Sequence, residues 1–306
     1  LDTVYFVLPN CNRMLRLSSL GLCIAGLVCS SFALHMYPQG PQQIDPSFNG
    51  KLPIEWVHVP KSGTSFLMTL LSIPGVCPGF EPETMTPEQI ISFQVSPNWQ
   101  CNDSAIDLAF GRQQHAGIEF LPAGGFQAGK GHFMMMMRQP EQRLDSFVHY
   151  HSAKMDYPAM FGIYDRDALM AAGSGCVTKM LTRGSPYETC FDSPSPPTNE
   201  EVREAKARLQ TGFSFIGMTE QWDLSLCLFN VMFNQNCRPY QFQNARPTYN
   251  GTITSYDIED LNGYRDPYDH ELYDVGVKLF EANLKKYGVS EASCESCWRE
   301  AGVRRA

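Results

Sequence analysis

Trp56-Val57-His58-Val59-Pro60-Lys61-Ser62-Gly63-Thr64-Ser65-Phe66-Leu67 is the stretch on which the fold turns. The apolar run from Ile54 to Val59 reads as a buried β-strand. It ends at Pro60, and a short turn of small residues carrying one cation, Lys61, follows. Phe66-Leu67-Met68-Thr69-Leu70-Leu71 then reads as the first turns of a helix. A strand, a small-residue turn and a helix N-terminus together make an anion cradle, because the first helical N–H groups and the helix dipole face the turn. Gly63 lets the backbone approach an anion closely, and the hydroxyls of Thr64 and Ser65 can donate to it. The stretch therefore predicts a site for a phosphorylated cofactor.

The spacing argues against a nucleoside triphosphate. In an ATP or GTP P-loop the Lys follows the last Gly, G-x-x-x-x-G-K-[ST]. Here Lys61 precedes Gly63 and the loop is shorter. No G-x-G-x-x-G follows a strand, which removes the usual dinucleotide fingerprint. A second segment repeats the strand-then-turn arrangement. His132-Phe133-Met134-Met135-Met136-Met137 is apolar and strand-like, and the methionine tetrad reads as strand packing. Pro140 suits the first turn of the helix that follows, and Glu141 suits its dipole. Arg138 then stands at the carboxyl end of a strand, and Ser146 lies about two turns along the helix. A forked Arg donor and a hydroxyl suit a terminal phosphate. Arg143 fits the same pattern or a structural ion pair.

These residues resemble a known family. Pro60-Lys61-Ser62-Gly63-Thr64-Ser65 resembles the 5′-phosphosulfate loop of sulfotransferases, which use 3′-phosphoadenosine 5′-phosphosulfate (PAPS). The pattern R-x-P-x-x-R-x-x-S over Arg138 to Ser146 resembles their 3′-phosphate site. Phe213 to Asp223, with Gly217-Met218-Thr219-Glu220, looks like the G-x-T-E segment of the Golgi carbohydrate sulfotransferases, the group that includes heparan sulfate 2-O-sulfotransferase. Thr219 reads there as an N-cap. The helix from Asp269 to Tyr287 resembles the D-x-x-L-Y helix of that group. The resemblance runs from about Ile54 to Tyr287, and residues 80–110 and 184–198 match nothing in it.

The resemblance implies sulfuryl transfer from PAPS to an acceptor hydroxyl, on a carbohydrate in the closest group. Negative charge builds on the leaving phosphate, so catalysis should come from positioning and charge stabilisation. Lys61 would stabilise the bridging oxygen, and the backbone N–H groups from Ser62 to Ser65 (Ser62, Gly63, Thr64, Ser65) would hold the 5′-phosphate. Arg138 and Ser146 would anchor the 3′-phosphate. The scheme needs no metal. A hydroxyl acceptor needs a general base. His115, opening His115-Ala116-Gly117-Ile118-Glu119-Phe120, stands where the group carries its catalytic His, although Gln113-Gln114 replaces the usual preceding residues. Glu119 and Glu220 are further candidates, and His58, His149 and His151 are weaker ones. Three alternatives stay open: a sulfotransferase for a small soluble acceptor, a P-loop-like kinase, and an inactive nucleotide-binding protein. A kinase would need an acidic residue at a strand end to hold magnesium, and none stands out.

The chain has 306 residues and a formal net charge of −8, ordinary for one large domain. The acidic balance argues against a nucleic-acid partner and disfavours a strongly anionic acceptor. Apolar strands alternating with helical segments predict an α/β fold, a P-loop-like parallel sheet flanked by helices. Taken with the resemblance, this predicts a single sulfotransferase domain over 54–306. It stands behind a stem linker over 38–53 and an N-terminal tail with a hydrophobic helix over 1–37. Residues Leu17 to Leu34 carry no charge and follow Arg13 and Arg16. They read as a signal anchor giving a type II membrane protein with a luminal domain, and the sulfotransferase resemblance implies the Golgi membrane. The alternative is secretion after cleavage near Ser31-Phe32-Ala33.

Eleven cysteines are present, and eight of them, from Cys77 to Cys297, follow the hydrophobic run. An even number there is compatible with disulfides, with the pairing open. Cys294-x-x-Cys297 lacks two further ligands for zinc and reads as a disulfide or free thiols. Asn102-Asp103-Ser104 and Asn250-Gly251-Thr252 are glycosylation sequons if the domain is luminal. Thr198-Asn199-Glu200-Glu201 reads as a capping box opening a helix to about Gln210.

Overall fold

Strand β1 (Ile54–Trp56) is fully buried and carries the opening stretch into the middle of a parallel sheet. The computed structural model describes residues 53–77, 80–86, 89–90, 101, 106–107, 125–153, 166–184, 190, 195–243 and 258–303. All belong to one compact unit, Pro41–Ala306. The hydrophobic segment 17–34 lies outside the described residues, among which no helix is long and apolar enough to cross a membrane.

The sheet runs β2-β1-β3-β4, with β2 (Ile106–Asp107) a two-residue edge strand, β3 (Phe133–Met137) central and β4 (Phe213–Met218) beyond it. Every pairing is parallel, with Trp56 opposite Met134 and Met137 opposite Met218. A register shift at Phe133/Met134 skips Ser214. Parallel strands are buried on both faces and therefore read as unbroken apolar runs. Met134 to Met137 are at most 1% exposed, so the methionine tetrad is strand packing.

Helices cover both faces. On one, Phe66 of α1 (Phe66–Leu71) stacks on Phe215 of β4, ring centroids 5.4 Å apart. Here α2 is Gly125–Gly129, α3 is Pro140–Ala153, α4 is Arg166–Gly173, α5 is Cys176–Thr182 and α6 is Asn199–Gly212. Helix α7 (Trp222–Met232) joins the first face, Phe229 meeting Phe66 edge-on at 5.2 Å. Helix α8 (Asp269–Tyr287) covers the other face. There Gly276 lies so close to the Met137 side chain that a β-carbon would overlap it. Neighbouring strand residues point to opposite faces, so Met136 and Met137 serve the two layers separately. Helix α9 (Glu291–Glu300) closes the chain against α7.

The helix ends follow local chemistry. The capping box opening α6 forms: Glu201 N–H donates to Thr198 Oγ1 at 3.2 Å, and Thr198 N–H to Glu201 Oε2 at 2.7 Å. Gly288 ends α8 in the left-handed conformation at φ 65°, just past Lys285 and Lys286.

Among the described residues four disulfides join Cys77–Cys101, Cys176–Cys190, Cys227–Cys294 and Cys237–Cys297. Cys294 and Cys297 stand three residues apart on α9, so both face α7 and the chain after it. Each pairs there and not with the other. Arg143 is a second tie. It is 1% exposed, 3.5 Å from Asp266 and 3.6 Å from Asp269, and donates to the Gly173 carbonyl at 2.6 Å. Asp269 in turn accepts from the amides of Val177 and Thr178 at 2.9 Å, at the start of α5. Arg143 is thus a structural ion-pair residue joining α3, α5 and α8.

Candidate functional site

In open parallel sheets ligands gather at the carboxyl edge where successive connections leave in opposite directions. The order β2-β1-β3-β4 puts that reversal between β1 and β3. The chain leaving β1 carries Lys61, and the chain leaving β3 carries Arg138. The two meet there: Arg138 Nη1 donates to the Lys61 carbonyl at 3.2 Å.

The loop after β1 is tightly wound. Lys61 (φ 66°) and Gly63 (φ 75°) are both left-handed. For a lysine this backbone costs about 1–2 kcal/mol, a strain typical of binding loops. Ser62 N–H donates back to the Val59 carbonyl at 3.1 Å, so this amide is already used. Phe66, Leu67 and Met68 donate to Gly63, Thr64 and Ser65, which closes the first turn of α1. The amides of Gly63 and Thr64 have no hydrogen-bond partner among the described residues. Such loops form anion-binding concavities.

Gly63 has no room for a side chain. A β-carbon would lie 2.8 Å from Trp222 Cζ3, 3.2 Å from Thr219 Cγ2 and 3.3 Å from Met136 Cβ. The segment after β4 thus presses on the loop. Thr219 is not the expected N-cap: it opens a 3₁₀ turn (Thr219–Gln221), and no side chain caps that turn or α7. Its hydroxyl is buried without a hydrogen-bond partner among the described residues, as is that of Ser62. Buried hydroxyls are normally satisfied, so two orphans beside one loop mark a place for a further acceptor. The sequence signal for Thr219 was present in the G-x-T-E segment, but local capping logic assigned it to the helix.

The other expected residues fall as follows. Thr64 Oγ1 is 2.8 Å from His58 Nε2, so His58, buried with its ring 4.8 Å from that of Trp56, reaches the loop. Ser65 stands at the N-cap of α1 and is buried, with no side-chain cap bond. Ser146 is 2% exposed on α3, two turns from Arg138. Glu220 is engaged: Oε1 accepts the Gln139 N–H at 2.7 Å, and Oε2 accepts from the Tyr273 hydroxyl at 3.4 Å. Burial, then the Glu220 charge, pushes the Tyr273 phenol well above its usual range, so it remains a donor. Glu220 therefore orients its neighbours. His115 and Glu119 lie outside the described residues, as do the side chains of His149 and His151.

Beside Gln139 an open groove of about 620 Å³ runs between the start of α3, the 3₁₀ turn Ile258–Leu261 and the start of α8. Its wall includes Glu141 and His270, whose Nε2 lies 3.9 Å from Glu141 Oε1. Glu141 also accepts the buried Asp266 N–H at 3.1 Å, a role beyond the dipole that its place in the first turn suggested.

No protein family, curated protein or solved structure matches the chain.

Proposed function

We propose that the protein is a PAPS-dependent sulfotransferase acting on an acceptor hydroxyl, with a P-loop-like phosphate loop at Lys61–Ser65. One observation carries this reading: the Arg138–Lys61 contact joins two cation-bearing loops across the reversal point of the sheet. A ligand with separate phosphates on the 3′ and 5′ oxygens of one ribose matches two such loops, whereas ATP would leave one of them empty. The amides of Gly63 and Thr64 and the buried hydroxyls of Ser62 and Thr219, all without a partner among the described residues, support an anionic group at the first loop.

Bound PAPS would supply the sulfuryl group, with 3′-phosphoadenosine 5′-phosphate as the leaving group. Lys61 would carry the positive charge that offsets the charge developing on the leaving oxygen. The Gly63 and Thr64 amides would hold the 5′-phosphate, a narrower set than the run from Ser62 to Ser65. Arg138, with Ser146, would hold the 3′-phosphate and fix the register. His58, in contact with Thr64, would orient that hydroxyl. The proton of the acceptor hydroxyl is assigned to His115, as the family resemblance implies.

The four disulfides support an oxidising compartment. A luminal Golgi domain held by the segment 17–34 fits that chemistry. The test is transfer of ³⁵S from labelled PAPS to a panel of glycan and small-molecule hydroxyl acceptors. Lys61→Ala should abolish transfer while the far-ultraviolet dichroism stays unchanged. Equal transfer by wild type and Lys61→Ala would remove the reading.

A further inference from the structure

None of the residues assigned to the cofactor lines the groove beside Gln139, yet Gln139 follows Arg138 at the same edge of the sheet. The Gln139 N–H is fixed by Glu220. His270 and Tyr273 stand three residues apart on α8, so one line of side chains runs from Glu220 into the groove. We infer that the groove is the acceptor subsite and that it takes an uncharged, polyhydroxylated acceptor, a short neutral saccharide. This rests on the sulfuryl-transfer reading above.

The chemistry of the wall carries the inference. Glu259 brings carboxylate acceptors, Arg265 donors, and Asn262 and His270 both. Gln139 and Glu141 are bonded to each other and to the Gln142 and Asp266 amides, so Glu141 adds mainly its negative charge. A sugar hydroxyl both donates and accepts, so it can use each of the first four. A sulfate or carboxylate only accepts, and would be set against two glutamates with a single arginine to offset them. The net charge of −8 extends that penalty beyond the groove. Tyr264 stands as a firm wall, its hydroxyl 2.7 Å from Ser174 Oγ. A volume of about 620 Å³ suits a ligand of a few sugar rings.

The test compares cellotriose with trigalacturonic acid, two saccharides of equal length that differ in charge. Each is titrated by calorimetry into the full chain saturated with 3′-phosphoadenosine 5′-phosphate. Wild type is expected to bind cellotriose at least tenfold more tightly than the acid. Glu259 lies on the exposed rim, so Glu259→Lys should fold. It should narrow the preference at least fivefold and leave the affinity for 3′-phosphoadenosine 5′-phosphate unchanged. Equal or tighter binding of the acid, an unchanged ratio in Glu259→Lys, or binding of neither saccharide would overturn the assignment. Failure of the wild type to bind 3′-phosphoadenosine 5′-phosphate would overturn it differently, by removing the reading beneath it.

Discussion

Arg138 Nη1 donates to the carbonyl of Lys61 at 3.2 Å, so the second cationic loop holds the backbone of the first. The arginine thereby has two roles: it supports the left-handed Lys61, and it brings positive charge to the same edge. Arg138→Ala should weaken binding of 3′-phosphoadenosine 5′-phosphate by about 10- to 100-fold, the range for one charge-assisted contact. Arg138→Lys should recover only part of this, because an ammonium lacks the fork. Isothermal titration calorimetry on the two variants checks both statements.

Gly63 tests the loop through sterics alone. Gly63→Ala adds one methyl group where Trp222, Thr219 and Met136 already stand, at a φ of 75°. The change should destabilise the fold by about 1–3 kcal/mol and shift the loop away from Thr219. Urea denaturation reads the first effect and loss of nucleotide binding the second. A variant of native stability and native binding would show that the crowding is not real.

The buried hub predicts a large loss without any effect on chemistry. Arg143→Met strands Asp266 and Asp269 in the interior, and breaking a buried pair from one side costs about 3–5 kcal/mol. Denaturant midpoints measure it. Whatever variant remains folded should bind nucleotide normally, since Arg143 faces α5 and α8 and not the phosphate loop.

Much of this was written in local sequence. The strand-turn-helix at Ile54 to Leu71, the capping box at Thr198 and the span of α8 each depend on neighbours within a few residues, and each forms. β1 is shorter than its apolar run: its regular ladder ends at Trp56, although Val57 N–H still donates to the Met134 carbonyl at 2.9 Å. The partners that failed to show in sequence are distant. Arg143 meets Asp266 and Asp269 across more than a hundred residues, and no spacing rule announces such a pair. Cys294 and Cys297 suggested one local bridge, whereas the helix turns them toward Cys227 and Cys237. Thr219 carried capping chemistry, but packing against Gly63 directed it to the loop.

Lys179 gives the structure a pH signature. It is 1% exposed, and burial, aided by Arg183, lowers its pKa from 10.5 to about 8. Between those values the unfolded chain binds the proton that the native chain has released. Native stability from this group therefore rises as pH rises from 8 to 10.5, and is lost as pH falls through 8. The unfolding free energy of wild type, taken relative to Lys179→Met, should increase from pH 7.5 to pH 9.5. A decrease over that interval would contradict the burial of the ammonium.

The Cys227–Cys294 bridge closes a separation of 67 residues between α7 and α9. Removing such a link costs about 2–5 kcal/mol through the freed denatured chain. Cys227→Ser with Cys294→Ser should lower stability by that amount in non-reducing urea titrations. Cys237–Cys297 should survive in peptide maps of the same variant.

The central claim is that the Lys61 and Arg138 loops together hold two separated phosphates on one adenosine. Its most direct measurement is calorimetric titration of the wild-type chain with 3′-phosphoadenosine 5′-phosphate and, separately, with ATP. The account predicts micromolar binding of the first and binding of ATP at least 30-fold weaker, about 2 kcal/mol. ATP binding as tight as, or tighter than, 3′-phosphoadenosine 5′-phosphate would contradict it.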